Sequence, residues 1–449
     1  NLAINEELKS QIGIEGGIQV ILQIMDTYPL NEGLNENCCF ALAELSFSNE
    51  VNVSFIVACK GVQLLLNAMH NHPKSEDLLD HAVSVLCNLC QNNNNNKDLI
   101  LKLGGAQAIV DTVLNNFQAL EFLQTSFRTL GNLAYDAKSV TAIIKAGGVQ
   151  GLVAGMTVHN EDMEIIDIAI RVLSNLAQDA TPDNMAIMAQ EGAVQAIVEA
   201  AANYTDKLDI EIAALGCLCN LGRQLSNAAM IIKQGGTEAT IQAMLALDFD
   251  ANLMAAAFRL LNILAHSQPA ELEKMHEAGI TTALVSGIKK QSTNRLVLAN
   301  AMSAFALLSY NADNAERMGG LGVLQVILKI VQDNINNQSI LCDCFPALSS
   351  LARSEGNAVS MSELAMNALS TCITNPQAEN RFLNVCFAFL ANLCVHSQAT
   401  EGVMRTSLVA NTLAVLHRHV GNPEVLIRGL KALENMCFST DEVKSHLRG

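Results

Sequence analysis

The feature that most constrains this chain is a repeated word on a steady beat. The stretches "TLGNLAYD" (129–136), "VLSNLAQD" (172–179) and "CLCNLGRQ" (217–224) can be laid over one another on Asn132, Asn175 and Asn220. The same frame runs back through Asn88 and Glu44 to Asn1, and forward through Ile263, Leu307, Ser350 and Asn392 to Asn435. Its steps are all between 42 and 45 residues. A second signal keeps the same period. "EGGIQVIL", "CKGVQLLL", "LGGAQAIV", "AGGVQGLV", "EGAVQAIV", "QGGTEATI", "EAGITTAL" and "GLGVLQVI" each open an apolar run with glycine. The last two copies, "SELAMNAL" and "VANTLAVL", lack that glycine and keep the helical pattern.

A period of this length is the mark of a repeat architecture. Each unit reads as three helices. A short first helix such as "DNMAIMAQ" stops at the glycine, which supplies the positive φ of a sharp turn. A second helix ("AVQAIVEAA") follows at once, and a polar loop ("VHNED", "TNPQAEN") leads to a third, longer helix that ends in the Asn-Leu word. Half of the residues are hydrophobic, only 4% are aromatic, and there are seven prolines and no Trp. That palette suits helix-on-helix packing. No helix of such a unit can bury its apolar face alone, so the units must stack into a solenoid.

Period, three-helix unit, glycine turn and late Asn together resemble armadillo repeats, the family of β-catenin and importin-α. The resemblance covers essentially the whole chain. It implies an all-α fold, a right-handed α-solenoid of about ten armadillo repeats of 42–45 residues, forming one continuous domain over 1–449. On this reading residues 1–3 are the end of a truncated repeat, and about 440–449 are the first helix of another. The chain is then expected to be a segment of a longer array. Repeats of the HEAT type are the structural alternative.

Asn is a poor residue inside a helix because its amide competes with the backbone. Yet it occupies seven of the eleven register positions. In the armadillo family this Asn lines the concave groove and hydrogen-bonds the backbone of an extended peptide, which suits a group offering both acceptor and donors. The resemblance therefore implies a peptide groove through Asn88, Asn132, Asn175 and Asn220, and a second stretch through Asn392 and Asn435. Ile263, Leu307 and Ser350 break the ladder between them. The competing reading is that the amide ties one helix to the neighbouring repeat.

One turn earlier stand Arg128, Arg171 and Arg259, which put positive charge along the groove of an acidic protein. Arg suits bidentate capture of carboxylate or phosphate, so the expected partner is a protein or an extended, acidic peptide. The alternative for each Arg is solvation of its helix or pairing with a neighbour such as Asp167. One turn later come Tyr135 and Arg223, with Tyr135 a candidate anchor. Importin-α carries Trp where this chain has Arg128 and its equivalents, so the absence of Trp argues against a nuclear-transport adaptor.

Other chemistry is weighed against. The net charge of −17 leaves no broad basic footprint for nucleic acid. No run approaches the length of a membrane span. Thirteen cysteines, an odd number, fit reduced thiols and a cytoplasmic setting. Cys87-x-x-Cys90 flanks a register Asn and reads as core packing rather than metal or redox chemistry. The His pairs in "MHNHP" and "LHRHV" stand two apart and face different ways on a helix. The run Asn92–Asn96 reads as a loop expansion. No catalytic motif, cofactor or metal set emerges, and the expectation is a non-enzymatic interaction scaffold. The alternative is a structural component of a large cytoskeletal or ciliary assembly.

Overall fold

The computed structural model describes residues 6–247, 250–267, 272–291 and 293–439. Thirty α-helices and no strands lie among these described residues. The expected truncated ends, 1–3 and 440–449, and the register residue Asn1 lie outside them. No single described helix is long and apolar enough to cross a membrane. The chain divides into two compact units, Asn1–Gly236 and Thr237–Gly449.

Within each unit the helices come as short, medium and long. One set is Asn94–Lys102 (9 residues), Gly105–Asn115 (11 residues) and Leu120–Leu133 (14 residues). The starts are written in the sequence. Asn49, Asn93, Asp136, Thr181, Asn311 and Ser354 each cap a first helix, accepting from the backbone N–H three residues on. Asn31, Asp162, Asn294 and Asn337 do the same for third helices.

The two hinge glycines turn out to have different tasks. The first holds the left-handed conformation, with φ between 84° and 91° at Gly16, Gly104, Gly147, Gly192, Gly235, Gly279 and Gly322. The second permits close packing, because a Cβ at Gly17, Gly105, Gly148 or Gly236 would run into Ile12, Ile100, Ile143 or Ile231 of the preceding first helix. In "CKGVQLLL" the left-handed residue is Lys60, at φ 63°, and Gly61 keeps only the packing role against Ile56. The two copies without glycine make the turn differently, with Ala365 and Ser407 in right-handed helical geometry.

The core is a column of Leu, Ile, Val, Ala and Phe, with Ile56, Leu86, Leu130, Ile143 and Leu173 all fully buried in the first unit. In the second unit Phe345 packs on Phe382 and Phe389 at ring centroid distances of 6.2 and 5.5 Å. The third helices lie side by side, each on the next, within a unit.

The run Asn92–Asn96 is not a loop expansion. Asn92 takes a left-handed turn at φ 54°, Asn93 caps the helix Asn94–Lys102, and buried Asn96 donates to Leu89 O at 2.8 Å. Every residue of the run is thus spent on the turn or on the first turns of that helix.

Candidate functional site

On the third helix Met163–Gln178 the residues Ile165, Ile166, Ala169, Ile170, Leu173, Leu176 and Ala177 are buried. That leaves Glu164, Asp167, Arg171, Asn175 and Gln178 along the outward stripe, at the three-and-four spacing of one helix face. The other third helices repeat the arrangement. Asn88, Asn132, Asn220 and Asn435 are half-buried, while Asn175 and Asn392 are exposed. Arg128, Arg171, Arg223 and Arg259 are exposed, and Tyr135 is half-buried. The first unit therefore brings Asn88, Asn132, Asn175, Asn220, Arg128 and Arg171 onto the outer stripe of adjacent helices, with Tyr135 and Arg223 in the turns just beyond Leu133 and Leu221. The second unit carries Arg259, Asn392 and Asn435 on the same kind of stripe.

The register amides also reach backwards by one repeat. Asn88 Nδ2 donates to Ala43 O (3.2 Å) and Ser46 Oγ (2.9 Å), and Asn132 Nδ2 to Cys87 Sγ (3.6 Å). Asn392 Nδ2 donates to Ser349 Oγ (2.6 Å) and Asn435 Nδ2 to Ala391 O (2.8 Å). Each tie uses the Nδ2 side of the amide, and the acceptor lies one residue before the preceding register position or, for Ser46, two after it. Cys87 is thus a half-buried partner on this face, whereas Cys90, Cys217 and Cys219 are core residues.

The arginines are engaged as well. Arg128 Nη2 meets Glu164 Oε1 at 2.6 Å across two third helices. Arg171 Nε sits 2.9 and 2.8 Å from the two oxygens of Asp167. That contact holds the guanidinium above its ordinary pKa. Both pairs are exposed, so each contributes only ~0–1 kcal/mol and can be exchanged. Arg223 Nη2 donates to Asn220 Oδ1 at 3.0 Å. Arg259 has no ion-pair partner among the described residues. The Tyr135 hydroxyl donates to Asp98, which pushes the phenol up to about 12, and Lys97 lies 5.2 Å from its ring. Phe40 and His81 stack across neighbouring third helices at 5.0 Å.

Sequence reasoning missed a second asparagine register. Asn52, Asn96, Asn184, Asn227, Asn314 and Asn357 are buried in the first turn of successive first helices, and Ser139 and Thr400 take equivalent places. Asn52 Nδ2 donates to Lys9 O (3.0 Å) and Leu45 O (2.8 Å). Asn357 Nδ2 donates to Ala315 O (2.6 Å) and Leu351 O (3.2 Å), and Asn227 Nδ2 to Met185 O (3.0 Å). The signal was present as steps of 44 residues from Asn52 to Asn96 and 43 from Asn184 to Asn227 and from Asn314 to Asn357, with double steps of 88 and 87 between these pairs.

Burial pushes the thiols of Cys39, Cys90, Cys344, Cys372 and Cys394 up to about 12, so none of them is a ready nucleophile. His72 Nε2 lies 3.0 Å from Pro29 O and His419 Nδ1 2.9 Å from Val415 O, both backbone ties. No group of three metal-ligating side chains occurs among the described residues.

Three-helix units, glycine hinges and side-by-side third helices define an armadillo-repeat α-solenoid, a class that typically serves as a protein-interaction scaffold rather than an enzyme. The profile described as the GAC ARM domain matches residues 1–309, and the chain belongs to that family. An engineered protein of known crystal structure is similar over 93% of this chain and 98% of its own, at 20% identity and a TM-score of 0.74. A structure from work on a phosphorylation switch controlling the interaction between cadherin and β-catenin is similar over 97% of this chain and 85% of its own, at 15% identity and a TM-score of 0.72. At such identities the likeness shows the fold. No curated protein matches the chain.

Proposed function

We propose that the third-helix face is a docking surface for an extended segment of a protein partner. The observation that carries this reading is the alignment on one stripe of the register Asn and the residue one turn before it, with Tyr135 and Arg223 in the turns that follow. Asn88, Asn132, Asn175 and Asn220, with Asn392 and Asn435 in the second unit, present carbonyl oxygens that can accept from a peptide N–H. The ties of Asn88, Asn132, Asn392 and Asn435 to the preceding repeat use the amide nitrogen and so hold the oxygen in place.

Arg128, Arg171, Arg223 and Arg259 favour carboxylates on the partner. A partner's acidic side chain would exchange with Glu164 or Asp167, at little cost because those pairs are solvent-exposed. At Arg259 it would meet no such competitor. Tyr135, fixed by Asp98, adds a flat apolar contact. Thirteen unpaired thiols fit a reducing, cytoplasmic setting.

A second reading is a structural part of a large assembly, gripped on several faces. Large apolar side chains exposed away from the third-helix stripe favour it, among them Ile14, Val20, Leu30 and Val51.

The test is to cross-link the partner that co-purifies with the chain and repeat the capture with Asn132→Ala combined with Arg171→Glu. Cross-links on the third helices, and a loss of binding at unchanged melting temperature, are expected. Unaltered capture by the double variant, with cross-links on first and second helices, would overturn the docking reading.

A further inference from the structure

Three of the second helices carry a self-satisfied side-chain pair, and Val323–Asp333 does not. At the third position of the second helix stands Gln63, Gln107 or Gln195, and four residues on stands an acceptor. Gln63 Nε2 donates to Asn67 Oδ1 (3.0 Å), Gln107 Nε2 to Asp111 Oδ1 (2.8 Å) and Gln195 Nε2 to Glu199 Oε1 (2.8 Å). These pairs satisfy themselves. In Val323–Asp333 the same positions hold Gln325 and Lys329, two donors and no acceptor for the amide N–H.

Gln325 and Lys329 line a cavity of about 600 Å³ between Ile280–Lys290 and Val323–Asp333. Lys289 enters from the neighbouring second helix and Asp333 closes one edge. None of these four side chains has a hydrogen bond or an ion pair among the described residues.

A glycine lies at the rim of this cavity. Two residues before the hinge, five other repeats place the long side chains Lys102, Lys145, Gln190, Lys233 and Glu277, and the first two place Ile14 and Ala58. Here the residue is Gly320. Its neighbours need to be glycine: Gly322 holds the hinge at φ 86°, and a Cβ on Gly319 would strike Asn357. Gly320 has neither reason. Its φ is not positive, and a Cβ added to it would meet nothing within 4 Å. It leaves this part of the rim without a side chain.

We propose that this cavity binds a compact phosphorylated polyol. Two ammonium groups and the Gln325 amide supply donors for a phosphate, and Lys acts there as a strongly hydrated point charge. Asp333 is an acceptor for a ligand hydroxyl, which a bare anion would not offer. The volume is that of a small-molecule pocket, typically ~300–1,000 Å³, and exceeds the needs of a single phosphate ion. The two lysines stand in a protein of net charge −17, where local positive charge is uncommon.

The same chemistry occurs as a soluble sugar phosphate and as a phosphoinositide headgroup. Soluble inositol trisphosphate is titrated into the full chain by calorimetry, and vesicles carrying phosphatidylinositol bisphosphate are tested by co-sedimentation. Binding in either arm supports the site, and the arm that gives it identifies the source. Lys329→Glu restores the Gln–acid pair seen at Gln195 and Glu199, so it keeps the fold, and it is expected to weaken binding at least tenfold. Gly320→Phe fills the cavity without touching either lysine and is expected to do the same. Asn132→Ala is expected to leave it unchanged. Absence of binding in both arms, or equal binding by the parent, Lys329→Glu and Gly320→Phe, would overturn the proposal.

Discussion

Two asparagine registers share the period of this chain, one buried and one at the surface, and single substitutions separate them. Asn52 is fully buried and its amide holds carbonyls of two helices, so Asn52→Ala removes both of these hydrogen bonds. A loss of ~1–3 kcal/mol in denaturant unfolding is expected. Asn175→Ala, on the exposed stripe, is expected to cost under ~0.5 kcal/mol, and equal losses would show that both registers are mere ties. The exposed register was legible because Asn is out of place late in a helix. The buried one was not, because Asn near a helix start is ordinary and Ser139 and Thr400 interrupt it. Which carbonyl each amide meets depends on the neighbouring helix and has no local signature. Glu211 is a further residue hidden from sequence, since it follows Lys207 and Asp209 in "KLDIEIAA" like any charged residue of a helix start. It is fully buried with both oxygens unbonded, and burial pushes its carboxyl from 4.5 up to about 8. The folded state thus holds a proton that the unfolded state releases. That contribution to stability is complete below about pH 4.5 and is lost as the pH rises through about 8. Melting temperature should therefore fall between about pH 5 and about pH 8, and Glu211→Gln should flatten the fall. A Glu211→Gln protein with the parent's slope would exclude this residue as the cause.

At the scale of the element, the glycine hinge was the clearest sign in the sequence, and its interpretation needed the backbone. The pair in "LGGAQAIV" looks redundant, yet Gly104 serves φ and Gly105 serves packing against Ile100. Lys60 shows the two roles pulled apart. Holding an L-residue left-handed costs ~1–2 kcal/mol, so Lys60→Gly is expected to raise the unfolding free energy by about that much or a little less. Gly104→Ala should lower it by a similar amount, and a Lys60→Gly protein no more stable than the parent would mean that the turn is not strained. The turns at Ala365 and Ser407 fall outside this logic, since both stay right-handed. Sequence reading placed helices there correctly from their apolar spacing and could not foresee the altered turn. The stretch Asn92–Asn96 misled for the converse reason: five identical polar residues look like slack chain, although one turns, one caps and one is buried.

At the scale of the whole molecule, the repeat beat made the architecture readable over the entire chain, whereas the division into units at Gly236 and Thr237 leaves no mark in it. The hinge glycines run on through Gly235 and Gly279 without a change of period. Compactness arises from contacts between repeats, and those are summed over many side chains rather than announced by any motif. In a solenoid each repeat contacts its neighbours only, so damage should stay local. Phe345 offers the sharpest test, being 1% exposed and packed on Phe382 and Phe389 of the following third helix. Phe345→Ala removes a buried ring and should cost ~3–5 kcal/mol in the repeats that hold it. Amide hydrogen exchange is the measurement that resolves where the loss falls. Protection should drop across Gln338–Leu351 and Asn380–Leu393, and stay at the parent's level across Glu76–Cys90 and Leu120–Leu133. The calorimetric trace should broaden, because a low-melting stretch now precedes the rest. A uniform rise in exchange through both units, with one sharp transition, would mean that the chain folds as a single cooperative body and that stability is shared well beyond nearest neighbours.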